Sequence, residues 1–385
     1  MSLKRLVYRL SKSAGLFALA RQLTRRDLRI LCYHGSSLDD EAAFSPTMFI
    51  GARTFARRLA LLKRGGHPVL ALDEAVQRLQ AGTLPSCAVV ITLDDGFFST
   101  FAVAAPLLEA AGFPATLYVT SYYVKHEVPI FRLALQYALW KTKRQTLRLS
   151  ELGLAPGLAI PGEIDLRPHG ARAALAWQLI NHGEALGSED ERQELLRRSC
   201  AALGVDSEAL RSSRKLSLMN LRELQSLRLL DVQLHTHRHR FPADPALIGR
   251  ELGENRAALA AAARTPLEHF CFPSGYFAGS SFDDVLRAHG IRTATTCETG
   301  LNAAGANPLA LRRFLDSEVV SELEFEAELS GFAELLRRAR TLLRGASPTV
   351  SATAEEARRG YPAGDGRSIG ERIEREPGEA SGAPA

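Results

Sequence analysis

The run from Ala88 to Leu93 constrains this chain most, because its branched apolar core, Val89-Val90-Ile91, ends abruptly at Asp94-Asp95-Gly96. Such residues suit a strand buried on both faces, and a polar pair followed by glycine terminates it. Ser99 to Ala111 then reads as a helix stopped by Gly112, and Ala115 to Val119 as the next strand. Strand, polar loop, helix and strand together predict parallel strands covered by helices, with functional side chains at the strands' C-terminal ends.

The same rhythm predicts a strand over Leu28 to His34, helices over Thr54 to Leu62 and Asp73 to Leu79, and a short strand over Pro68 to Leu72. It returns later with a helix over Asn220 to Leu229, a strand over Val232 to Leu234 and a helix over Glu251 to Ala262. An extended His269 to Phe272, a helix over Phe282 to Ala288 and another over Ser321 to Leu343 complete it. Between about Pro129 and Arg214 the rhythm breaks. Phe131 to Trp140, Ala171 to His182 and Asp190 to Leu203 have helical patterning, which predicts a helical insertion at about 129–214 inside one domain spanning residues 28–346. A lid, a partner surface and plain packing all fit such stripes.

The two ends differ from this domain. Residues 347–385 are dominated by Pro, Gly, Ser, Arg and Glu, offer little apolar area to offset ordering entropy, and are expected to form a disordered tail. Residues 1–27 read as a basic N-terminal helix or peripheral segment. The apolar stretch Ala14 to Ala20 is too short for a membrane span and has no signal-cleavage pattern. Leu6, Val7, Leu10, Leu16 and Phe17 alternate with cations, which fits either peripheral membrane attachment or a helix packed on the domain. The net charge of +5 over 385 residues gives no reason to expect a nucleic-acid partner. Five cysteines without close pairs suggest a reducing compartment, and hence the cytoplasm.

Two segments carry chemistry. Adjacent carboxylates at Asp94 and Asp95 can bind one cation, or divide coordination and proton acceptance between them; an exposed acidic turn is the plainer alternative. His235 and His239, spaced i,i+4 in His235-Thr236-His237-Arg238-His239, can aim at one ion from a helical turn or a curled loop. His237 is left to point away or to meet substrate.

Thr92-Leu93-Asp94-Asp95-Gly96 resembles the first motif of the polysaccharide deacetylase family, the NodB-like carbohydrate esterases, and His235 to His239 resembles its second. The resemblance covers approximately Leu28 to Phe314. It implies a distorted (β/α) barrel, an α/β fold, with an open doubly wound sheet as the structural alternative. It further implies one divalent metal on Asp95, His235 and His239, zinc first and Mn, Co, Ni or Fe also feasible, with Asp94 as general base. His269 to Gly275 resembles a third family loop in which Cys271 stands at the place of an arginine, so the usual partner orienting the base carboxylate is expected to be missing. No late Leu-x-His motif follows Gly275. Tyr33-His34 resembles the signature of exopolysaccharide-associated members, which makes His34 the candidate acid.

Pro273, Ser274, Gly275 and Tyr276 are then candidates for an oxyanion or substrate loop, and Phe97, Phe98, His237, Arg312 and Arg313 for substrate contacts. The expected activity is hydrolysis of the N-acetyl group of a cell-envelope or exopolysaccharide sugar, on an N-acetylated glycan or a lipid-linked saccharide. The alternatives are an inactive carbohydrate-binding or assembly protein and a different metal-dependent amide hydrolase.

Overall fold

Val89–Leu93 is buried at every position, as a continuous apolar run in a parallel sheet requires. The computed structural model describes residues 3–154, 162–275, 277 and 279–344. Its seven-stranded sheet comprises β1 (Arg29–Tyr33), β2 (Val89–Leu93), β3 (Ala115–Val119), β4 (Leu230–Leu234), β5 (His269–Cys271), β6 (Thr293–Thr295) and β7 (Phe314–Leu315). All pairings in it are parallel. In space the order is β6-β5-β4-β3-β2-β1-β7, without the reversal that defines a doubly wound sheet. The sheet curls strongly, and one segment connects its two edges. Leu311 bonds to Ala294 and Thr296, while Phe314 and Leu315 pair with Leu31 and Cys32 of β1. The architecture is the expected distorted (β/α) barrel.

Strand alternation divides the core in two. Outward residues such as Leu31, Ile91, Leu117, Val232 and Phe270 pack under the flanking helices. Inward residues Ile30, Val90, Tyr118, Cys271 and Leu311 pack against Leu72, Ala75, Val76 and Leu79. Labelling the longer helices in chain order gives α1 (Leu3–Ser13), α2 (Leu16–Leu23), α3 (Ala52–Arg64), α4 (Leu72–Gln80) and α5 (Ala105–Ala111). They continue as α6 (Phe131–Lys141), α7 (Ala171–Glu184), α8 (Glu189–Leu203), α9 (Pro245–Leu259), α10 (Glu322–Leu329) and α11 (Phe332–Arg344). Helix α4 therefore fills one end of the barrel, and the other end is left for the polar side chains described below.

Helices α6, α7 and α8 share a separate apolar cluster that includes Phe131, Leu135, Leu179 and Leu196. Phe49 and Phe97 of the barrel join it. The insertion also contains an antiparallel pair, Thr146–Arg148 with Glu163–Asp165, that its sequence pattern did not reveal. Two expectations need correction. Pro68 to Leu72 makes only a single bridge, Val69 to Val89, before α4 begins. The helix expected over Ser321 to Leu343 is two helices, broken at Gly331, whose φ is +81° and where a Cβ would collide with Thr24 Oγ1. The expected tail at 347–385 lies outside the described residues.

Thr24 belongs to the segment that joins α2 to the barrel. Arg21 of α2 donates to Gly65 C=O at 2.7 Å and contacts His67 Nε2 at 3.1 Å, while His67 Nδ1 lies 3.0 Å from Cys87 C=O. An arginine can only donate and a carbonyl can only accept, so His67 is held as the neutral Nδ1–H tautomer. Burial, with Arg21 alongside, lowers its pKa to about 4.

Gly331→Ala should destabilise the protein by about 1–3 kcal/mol in denaturant unfolding, since neither the φ nor the space is tolerated. Acid should also weaken the fold through His67: the unfolded imidazole takes up a proton below its ordinary value near 6.5, whereas the folded one resists until about 4. This share of stability is complete above that window and is lost as pH falls through it, by roughly 2–3 kcal/mol. A His67→Gln variant should show a correspondingly flatter stability profile between these pH values. An unchanged profile would refute the assignment.

Candidate metal centre

At the end of β2 the chain must reverse within two residues. Asp94 N–H still bonds to Tyr33 C=O at 2.9 Å, but Asp95 has φ +70° and Gly96 has φ +89°. A Cβ at Gly96 would lie 3.0 Å from Val119 Cγ1, so glycine is needed for space as well as for conformation. At the end of β4, Thr236 and His239 also take positive φ, of +61° and +55°. The His235 to His239 segment is thus a curled loop rather than a helical turn. Together the two reversals place His235 Nε2 and His239 Nε2 each 3.3 Å from Asp95 Oδ1.

That spacing is long for a hydrogen bond and suits a shared cation: two ligands on a tetrahedral ion with bonds of about 2.0–2.1 Å lie roughly 3.3–3.4 Å apart. The chain thus carries a candidate site for one divalent ion, whose identity this nitrogen–oxygen donor set leaves open. His235 Nδ1 donates to Cys271 C=O at 2.8 Å, which leaves Nε2 of the neutral ring as the lone-pair donor. Burial opposes the charge of Asp95, yet contacts with His235 and His239 hold its pKa at about 2. Burial lowers His239 to about 4. His235 is raised in spite of burial, chiefly by Cys271 and Asp95, so a proton and a cation compete for the same nitrogen. Asn255, which sequence reading missed, is fully buried and links the loops. It accepts from His235 N–H at 3.0 Å and donates to Val119 C=O at 3.0 Å and Ser121 Oγ at 2.8 Å.

Asp94 points into the barrel instead. Its carboxylate receives Arg313 Nη1 at 2.7 Å and Nη2 at 2.8 Å, in a pair that is 2% and 0% exposed. Arg313 Nη1 also reaches Thr92 Oγ1 at 3.1 Å, and Nε donates to Thr296 C=O at 2.9 Å. Burial would raise the Asp94 pKa, but the guanidinium holds it far below the usual carboxylate range. The absence of an arginine partner, expected from Cys271, is therefore corrected: the arginine arrives from the segment that connects the sheet's edges. Two other donor groups, Cys32-His34-Asp94 and Asp94-His235-Cys271, crowd the same space. In both, Asp94 is already committed to Arg313.

No family model matches the sequence, and no curated protein matches it. Among solved structures, the chain is similar to the deacetylase PplD of Streptococcus pyogenes, solved in complex with acetate. Identity is 15% over 79% of this chain and 98% of that one, with a TM-score of 0.50. It is also similar to IcaB from Ammonifex degensii, at 18% identity over 79% and 97% of the two chains, with a TM-score of 0.48. This chain shares its fold with PplD.

Within this fold, the remaining candidates separate. His34 is half-buried, with a ring nitrogen within 4.8 Å of the Asp94 carboxylate. Phe97 is 1% exposed and packs on Phe49, so it belongs to the core and not to a substrate surface. Phe98 lies beneath the Arg214 guanidinium, 4.0 Å from its ring centre. His237 turns toward Ser121, with Nδ1 2.8 Å from Oγ. Arg312 and Arg313 alternate along an extended segment, so Arg312 faces out, 3.7 Å from Glu298, while Arg313 is enclosed. Pro273 is buried; Ser274 is exposed at φ +55°, and Gly275 has φ +67°. Tyr276 lies outside the described residues.

Arg313→Ala should lower stability by about 3–5 kcal/mol, because it strands a buried carboxylate. Arg313→Ala combined with Asp94→Asn should recover part of that loss in equilibrium unfolding. If the single and double variants were equally unstable, the pair would not be coupled.

Proposed function

We propose that this chain hydrolyses the N-acetyl group of a sugar in a cell-envelope or exopolysaccharide glycan. One observation carries the reading: two histidine nitrogens equidistant from one Asp95 oxygen, beside a second carboxylate committed to an arginine. The division separates an ion-holding carboxylate from a proton-accepting one, which amide hydrolysis with water requires. The fold shared with PplD, a deacetylase solved with acetate, supports the same class of reaction.

Asp95, His235 and His239 would hold the ion, with zinc the first choice for this donor set. When bound, a divalent cation there supplies Lewis-acid polarisation of a carbonyl oxygen and of water. Asp94 Oδ2 is occupied by Arg313 Nη2, with the thiols of Cys32 and Cys271 each at 3.5 Å. Oδ1 accepts Arg313 Nη1 at 2.7 Å but neither thiol, so, as the oxygen with fewer partners, it is assigned the proton of the attacking water. Arg313 fixes the carboxylate plane and keeps it ionised throughout the working pH range. As the new C–O bond forms and the C–N bond breaks, His34 in its protonated form delivers a proton to the departing nitrogen. Acetate and a free amino sugar result. Ser274 and Gly275 shape the loop beside this space, and a lipid-linked saccharide would present the same acetamide. The five unbridged cysteines support a cytoplasmic place of action.

Acetate release from defined N-acetylglucosamine oligomers by metal-reconstituted protein tests the proposal. Asp94→Asn should lower turnover by about 10²–10⁴-fold while the protein retains its metal. Asp95→Ala should lose both metal, measured by elemental analysis, and turnover. Saturable sugar binding by metal-loaded protein without any acetate release would favour a binding protein instead.

A further inference from the structure

Helix α1 docks on the barrel with its polar face. Tyr8 and Ser11 are its buried residues, and Lys4 and Lys12 pair with Glu324 and Glu326 of α10. Tyr8 packs edge-on against Phe17 and Phe332. The opposite face carries Leu3, Leu6, Val7 and Leu10, which are 77%, 39%, 41% and 61% exposed. At 3.6 residues per turn these four side chains share one sector of about 100°. A helix that merely covers its own domain would place this stripe inward.

Helix α2 repeats the inversion. Phe17 and Ala20 are buried, whereas Leu16, Leu19 and Leu23 are 41%, 55% and 65% exposed. The Arg21 bonds to Gly65 and His67 fix this hairpin to the barrel. Its leucines are therefore presented on a rigid mount.

Between residues 3 and 26 there is no acidic residue, and Arg9 borders the α1 stripe while Arg25 and Arg26 follow the end of α2. An exposed leucine surface edged by cations complements a plane that is apolar in depth and anionic at its rim. No helix among the described residues is long and apolar enough to cross a membrane.

We infer that the α1–α2 hairpin is a membrane-surface dock, which lays its leucine stripe into the headgroup region of an anionic bilayer. The inference is independent of the hydrolytic reading, because none of these residues touches the candidate metal centre.

Co-sedimentation of the full chain with vesicles tests it. Vesicles of phosphatidylcholine with about one-third phosphatidylserine should bind the protein at least tenfold more strongly than phosphatidylcholine alone, and about 0.5 M salt should remove most of that difference. Leu6→Glu with Leu10→Glu should weaken binding by about tenfold or more. The melting temperature should stay unchanged, because both side chains face solvent. Arg9→Gln with Arg26→Gln should reduce the preference for anionic vesicles while leaving the weaker neutral binding. Equal binding by the leucine variant, or no binding to either vesicle, would overturn the proposal. So would a vesicle-independent dimer, seen in sedimentation velocity, that the leucine variant abolishes.

Discussion

The buried ion pair between Asp94 and Arg313 is the interaction around which the barrel's polar end is organised. A carboxylate enclosed this fully would ordinarily bind a proton, and an enclosed guanidinium without a partner would be costlier still. Each makes the other's position tenable. The segment carrying Arg313 also connects the two edges of the curled sheet, so the charge pair and the sheet's curvature support each other. Thr92, Thr296 and Cys271 take up further guanidinium contacts, leaving the group one orientation.

Among the described residues, four of the seven non-glycine residues with positive φ lie in the loops around the candidate metal centre. Asp95, Thr236, His239 and Ser274 all adopt positive φ without being glycine, and each lies in a loop at a strand's C-terminal end. Conformations of this kind persist only where the surroundings over-determine them. Here the surroundings include the fully buried Asn255, which bonds to both the His235 backbone and the loop after β3. The candidate ligands therefore meet without a helix or strand to align them. Parallel strands supply the rigid stage, and side-chain hydrogen bonds set the final approach.

Much of the architecture was legible because parallel strands buried on both faces have a distinctive composition. Val89-Val90-Ile91 and Leu28 to His34 could hardly be anything else, and the insertion's helices at Phe131, Ala171 and Asp190 announced themselves by their periodicity. The break at Gly331 was not legible, because it depends on Thr24, some three hundred residues away in the chain. Pro68 to Leu72 had strand composition but found too little sheet edge to pair with. Phe97 resembled a groove residue because it follows the acidic pair, yet the insertion's core takes it.

The amino-acid order by itself determined which residue types stand at which strand ends: two carboxylates after one, a histidine loop after another. Local chemistry and spacing carry that information. Residue chemistry alone left open which carboxylate meets which partner, since Asp94 and Asp95 are adjacent and chemically identical; tertiary structure decided it. Only the positive φ at Asp95, which turns one carboxylate toward two imidazoles and the other toward Arg313, makes them different. The arginine's role was hidden for the same reason. Whether Arg312 or Arg313 faces the interior is a matter of strand parity, and parity is fixed by a register that only the assembled barrel defines.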